Sequence, residues 1–184
     1  MMKASFGAQR PDAAAPGHWT SRLILHGSLP VVWAHCGATA ELLGELYSGQ
    51  AARTGKDANE AQHGINYLTN ELLENAVKFR HATADSIELD ASFTDGVFEV
   101  RVRNHAEAEV AARFGQLLEQ LTASDPNELL LERIEANAMG DSPSASGLGI
   151  LTLMSDYGAE FTWRFEQPAA AAPVMIQTHA SLRL

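Results

Sequence analysis

The chain has 184 residues, 46% of them hydrophobic and 20% charged, which supplies one core and is too apolar for a broadly disordered chain. Its formal net charge of −10, from 13 Lys and Arg against 23 Asp and Glu, argues against nucleic acid as a partner, because phosphate contacts need clustered cations. The single cysteine, Cys36, excludes an internal disulfide framework and a cysteine-rich zinc site.

No apolar run reaches the roughly 18 residues of a membrane span. The start, Met1-Met2-Lys3-Ala4-Ser5-Phe6, lacks the apolar core of a signal peptide. The expectation is a cytoplasmic protein without membrane insertion. Residues 1–18, with Gly7, Pro11, Ala13-Ala14-Ala15 and Pro16, read as a flexible tail. Residues 19–184 read as a single domain.

Leu23 to Gly27 is a short predicted strand, closed by Gly27 and Pro30. From Trp33 to Tyr47, Trp33, Cys36, Ala40, Leu43 and Leu46 recur at helical spacing. Ser48-Gly49 is expected to stop that helix. Asn59 to Phe79 carries the strongest helical signal, with Ile65, Leu68, Leu72, Ala76 and Phe79 in one stripe. Alternation with period two follows. Ile87, Leu89, Ala91 and Phe93 face one way, Asp95-Gly96 makes a hairpin turn, and Phe98, Val100 and Val102 return.

Glu107 to Leu121 is a second-half helix. Asp125 caps another, with Pro126 at its first position and Leu130, Leu131 and Ile134 along it. Met139 to Gly147 is a loop of small residues, Leu148 to Asp156 a short helix, and Phe161 to Phe165 and Val174 to Leu182 two last strands. The order predicts an α+β fold: one sheet, mixed but mostly antiparallel, covered by helices on one face.

The informative stretch is Asn70-Glu71-Leu72-Leu73-Glu74-Asn75-Ala76-Val77-Lys78-Phe79. At helical pitch, Glu71, Asn75 and Lys78 fall within an arc of roughly 60°. That edge adjoins the apolar stripe. Magnesium prefers oxygen ligands, and Asn75 offers a neutral one that leaves room for phosphate oxygens. Lys78 can meet a phosphate as a point charge. Glu71 can take a proton from a hydroxyl or a water. The competing reading is a solvated helix face. A second motif, Ser146-Gly147-Leu148-Gly149-Ile150-Leu151, leads small residues into a helix N-terminus, where backbone N–H groups favour an anion.

Together these motifs resemble the GHKL family of ATP-binding proteins, which includes gyrase, histidine kinases and MutL. The Asn70 to Phe79 stretch resembles its N-box. Ser146 to Leu151 resembles its second glycine box, after a loop placed like its ATP lid. The resemblance covers about residues 20 to 184. It implies a two-layer α/β sandwich that takes ATP and Mg2+. It also implies Glu71 as general base, Asn75 as magnesium ligand, Lys78 as a phosphate contact, and Ser146, Gly147, Leu148 and Gly149 as further cofactor-binding residues.

The chain departs from the family after the second hairpin strand. An Asp-x-Gly-x-Gly box is usual there, but this chain has Val102-Arg103-Asn104-His105-Ala106-Glu107. Asn104 stands where the adenine-binding Asp would be and can still accept a hydrogen bond. That Val-x-Asn, with the leucine-rich helices from Leu117 to Ile134, is similar to the SiaB-like and anti-sigma-factor-type serine/threonine kinases. This resemblance implies a small STAS-like or SiaC-like protein partner, phosphorylated on Ser or Thr, and allows a homodimer. The alternative from another class is a degenerate nucleotide-binding or nucleotide-free module that binds its partner without catalysis.

The seven histidines show no zinc spacing. Cys36, Trp33 and Trp163 read as core residues. Arg101 and Arg103 read as the exposed face of the sheet.

Overall fold

A computed structural model of the chain describes residues 2–7, 20–27, 29–81, 86–138 and 147–184. The elements run β1 (Met2–Phe6), β2 (Thr20–His26), α1 (Leu29–Arg53), α2 (Ala58–Lys78), β3 (Ser86–Thr94), β4 (Val97–Ala106), α3 (Ala108–Ala123), α4 (Pro126–Ala138), α5 (Leu148–Ser155), β5 (Glu160–Gln167) and β6 (Val174–Arg183). The fold is α+β. Its six strands form one sheet in the order β1-β5-β6-β4-β3-β2. Every described pairing is antiparallel, so the sheet is not mixed as the sequence suggested.

Alternation along β3 and β4 sets the two faces. Ile87, Leu89, Ala91, Phe98, Val100 and Val102 are buried inward, while Glu88, Asp90, Glu99, Arg101 and Arg103 stand half-buried on the other side. The turn between the strands uses Asp95 at φ 50° and Gly96 at φ 77°, the left-handed pair that a two-residue hairpin demands. The inner face meets α2, whose Ile65, Leu68, Leu72, Leu73, Ala76 and Val77 are all buried. Asp57 starts α2 by accepting from the backbone N–H groups of Asn59 and Glu60, both at 2.9 Å.

Helix α1 packs along α2 and is longer than Trp33 to Tyr47. Val32, Cys36, Ala40, Leu43, Tyr47 and Ala51 form one buried stripe through its whole length. That burial carries the helix past Ser48-Gly49. It ends only beyond Arg53, where Gly55 turns left-handed at φ 84°. The Tyr47 hydroxyl donates to the Ala91 carbonyl at 2.9 Å, tying α1 to the sheet.

A second correction concerns the expected tail. Residues 2–6 form an edge strand on β5. Phe6 seats its ring edge-on against Phe165, centroids 5.5 Å apart. Five residues with three apolar side chains, Met2, Ala4 and Phe6, give too short a pattern to stand out before a Gly- and Pro-rich stretch. Residues 8–19 lie outside the described residues. Among those described, no helix is long and apolar enough to cross a membrane.

Candidate nucleotide site

Glu71, Asn75 and Lys78 lie on the edge of α2 that faces the start of α5. With Glu74, Trp33, Gly147 and Gly149 they line one cleft of about 360 Å³, within the size range of small-molecule sites. The helix edge and the glycine turn, 69 or more positions apart in sequence, therefore share one cavity. Ser146 and the lid-like loop from Met139 onward lie outside the described residues. Leu148 opens α5 between the two glycines, half-buried, and is not among the residues lining the cleft.

Each glycine has its own physical reason. Gly147 precedes α5 with φ 88° and ψ −2°, a left-handed conformation that costs a side-chain-bearing residue about 1–2 kcal/mol. A Cβ there would also sit 3.0 Å from Arg133 Nη1, so α4 brings a guanidinium up to the turn. At Gly149 the obstacle is steric: a Cβ would collide with the Glu71 carboxylate. Glu71 thus rests directly on the first turn of α5, and only glycine leaves it that seat.

Burial raises the Glu71 pKa above its ordinary 4.5, and the neighbouring Glu74 charge adds to the rise. Glu74 is held by Asn70, whose Nδ2 donates to Glu74 Oε1 at 2.8 Å. Asn75 Nδ2 donates to the Glu71 backbone carbonyl at 2.8 Å. That bond uses the amide nitrogen and leaves Oδ1 as the group to offer. Lys78 is exposed, its ammonium 5.2 Å from the centre of the Phe79 ring. Two carboxylates, an amide oxygen and an ammonium are hard donors and a point charge. They fit a magnesium ion that shares its shell with phosphate oxygens. Among the described residues, no group of three or more His, Cys, Asp or Glu could hold a metal without such help.

Asn104 is not in this cleft. It is 6% exposed on β4 and lines a crevice of about 20 Å³ with Leu72, Asn75, Phe79, Trp163 and Thr178. Asn75 lines both cavities. It is the hinge between a polar cleft and a narrow slot with aromatic walls. Phe79 and Phe114 stack across part of that wall, centroids 6.2 Å apart at 20°.

The sequence reading missed Glu74, Trp33, Arg133, Thr178 and Trp163 as neighbours of these cavities. Glu74 was within reach, because it stands three residues after Glu71. Trp33 is 45% exposed at the cleft and not the core residue expected. Trp163 is buried, as expected. Thr178 pairs with both Trp163 and Val102, a register that becomes visible only once β6 is inserted between β4 and β5. Compared with models of known protein families the chain matches none, and it matches no curated protein.

Proposed function

We propose that the cleft binds the triphosphate of ATP and that the chain is a GHKL-type, ATP-dependent serine/threonine protein kinase of the SiaB and anti-sigma-factor kind. One observation carries this reading: Glu71, Asn75, Lys78, Gly147 and Gly149 line a single cavity of about 360 Å³. The N-terminal turn of α5 and Lys78 then attract the phosphates. Asn75 Oδ1 holds Mg2+, aided by phosphate oxygens. When bound, that ion would supply charge neutralisation to the phosphates.

Transfer needs positioning more than covalent chemistry. The hydroxyl oxygen of a Ser or Thr on the partner forms a bond to the terminal phosphorus. The bond from that phosphorus to the bridging oxygen breaks, and the nucleoside diphosphate leaves. The hydroxyl proton passes to the Glu71 carboxylate, whose raised pKa makes it a better base than an ordinary Glu. The partner of this reading is a small STAS-like or SiaC-like protein in the cytoplasm.

A second reading has its own support. The crevice behind Asn75 has room for about one water molecule, and Asn104 carries no charge. Both favour a module that binds its partner without turnover. Incubation with Mg2+, ATP and a STAS-like or SiaC-like protein, followed by intact mass measurement of that protein, separates the two. Gain of one phosphate by the partner, lost in Glu71→Ala and Asn75→Ala, is expected. A stable complex with no mass change supports the second reading instead.

A further inference from the structure

Helix α4 has two unlike sides. Leu129 and Leu130 pack against the core, and the helix rests on α5. Leu131 and Ile134 turn away from that contact and are 60% and 51% exposed. At helical pitch they stand roughly 60° apart and one turn from each other, while Leu129 and Arg133 point within roughly 20° of the direction opposite Leu131. Arg133 is half-buried and meets the Gly147 turn, where a Cβ would lie 3.0 Å from its Nη1. One side of α4 is therefore held by the fold beside the cleft. The other presents two large apolar side chains to solvent.

A row of acids runs along this apolar pair. Glu128, Glu132 and Glu135 are exposed and fall within an arc of roughly 60° next to Leu131. None of them has an ion-pair partner among the described residues. The acids of the outer sheet face differ, since Glu88 and Asp90 are each met by Arg22 and Arg103. In heptad terms Leu131 and Ile134 take positions a and d, and Glu128 and Glu135 both take position e. Apolar side chains at a and d seat a second helix, and the charge at e selects the partner.

We propose that this face of α4 is a docking surface for a partner protein, and that the partner brings a helix whose apolar seam is flanked by Lys or Arg. Charge complementarity decides the occupant. A second copy of this chain would set its own carboxylates against these, and like charges facing each other across an interface exclude a partner. Nucleic acid and an anionic membrane are repelled on the same ground. A basic amphipathic helix answers both the apolar pair and the acid row. The surface lies about one helix diameter, ~10 Å, from the Gly147 turn, so a partner seated there is beside the cleft. Both readings of the cleft require a partner, and a helix seated on α4 needs no nucleotide to bind.

The test is fluorescence anisotropy of the full chain with two synthetic helical peptides of about three heptads. Both carry Leu at a and d. One has Lys at e and g, the other Glu, and these like charges keep either peptide from pairing with itself. The native protein is expected to bind the Lys peptide saturably, one to one, and at least about tenfold tighter than the Glu peptide. Leu131→Ser combined with Ile134→Ser is expected to lose about tenfold for the Lys peptide. Glu128→Lys combined with Glu132→Lys and Glu135→Lys is expected to reverse the preference. All five positions are exposed, so the fold should stand, and if one variant does not fold the other decides. Equal affinity of the native protein for the two peptides, or no binding of either, overturns the proposal. So does unchanged affinity in the Leu131 and Ile134 variant, which would trace the attraction to net charge alone. A native dimer in sedimentation that this variant dissociates gives the face to a second copy and overturns it as well. No nucleotide enters the experiment, so each of these failures leaves the reading of the cleft intact, and failure of Mg-ATP to bind leaves the docking surface intact.

Discussion

The two faces of the central sheet handle charge in opposite ways. On the outer face, opposite charges meet across strands. Arg103 reaches Glu88 at 2.9 Å and Asp90 at 3.0 Å, and Arg22 reaches Glu88 at 2.9 Å and Asp90 at 3.5 Å. The hydrogen bond from Arg22, followed by that from Arg103, lowers the Glu88 pKa. On the inner side, α2 sets Glu71 beside Glu74, and burial with that like charge raises the Glu71 pKa. The outer face answers its charges with the protein's own residues. The inner cleft sets two carboxylates beside Lys78 with no ion pair to either carboxylate among the described residues, and on the proposed reading that is where a bound cation and a phosphate chain would contribute.

This contrast breaks first at Gly149. In Gly149→Ala the added methyl meets the Glu71 carboxylate and displaces it from the cleft. Ala is a better helix former than Gly, so the fold should stand. On the proposed kinase reading, phosphate transfer to the partner is expected to fall at least tenfold, with a thermal midpoint near that of the native protein.

Gly147→Ala probes backbone rather than contact. At φ 88°, a side chain costs about 1–2 kcal/mol, which for a chain of this size lowers the midpoint by roughly 2–4 °C per kcal/mol. Scanning calorimetry reads it. An unchanged midpoint would remove the left-handed turn from the account.

Glu71→Gln sharpens the electrostatic half. An acid with a raised folded pKa binds more protons folded than unfolded, so its contribution to stability declines as pH rises from about its ordinary 4.5 through the raised value. The variant is therefore expected to be more stable than the native protein at neutral pH. That gain should disappear as pH falls below the ordinary value, where both states are protonated. Thermal midpoints measured across this range check the sign.

The smallest effect belongs to the outer face. Arg22 is 60% exposed, so Arg22→Ala is expected to cost less than about 1 kcal/mol. The Glu88 contribution has the opposite pH sense, present above its ordinary 4.5 and lost as pH falls through the lowered value. Denaturant titrations at neutral and acid pH read both.

Much of the architecture was legible because period and punctuation agreed. The β3–β4 hairpin and α2 announce themselves through alternation, Asp95-Gly96 and the stripe from Ile65 to Ala76. The site edge followed from helical pitch alone. What stayed hidden depended on tertiary context. Ser48-Gly49 does not break α1, because buried Tyr47 and Ala51 on either side outweigh a weak local preference. Residues 2–6 become a strand only when β5 offers them an edge. Trp163 and Thr178 join Asn104 through a strand order that places β6 between partners distant in sequence, and no local pattern encodes that order.

The most direct test of the central claim, that the α2 edge and the α5 turn form one nucleotide cradle, is calorimetric binding of Mg-ATP to the native protein and to Asn75→Ala. Asn75 lines both cavities, so its loss should weaken a saturable one-to-one interaction by more than tenfold. Equal affinity in the two proteins, or no binding at millimolar Mg-ATP, would contradict it.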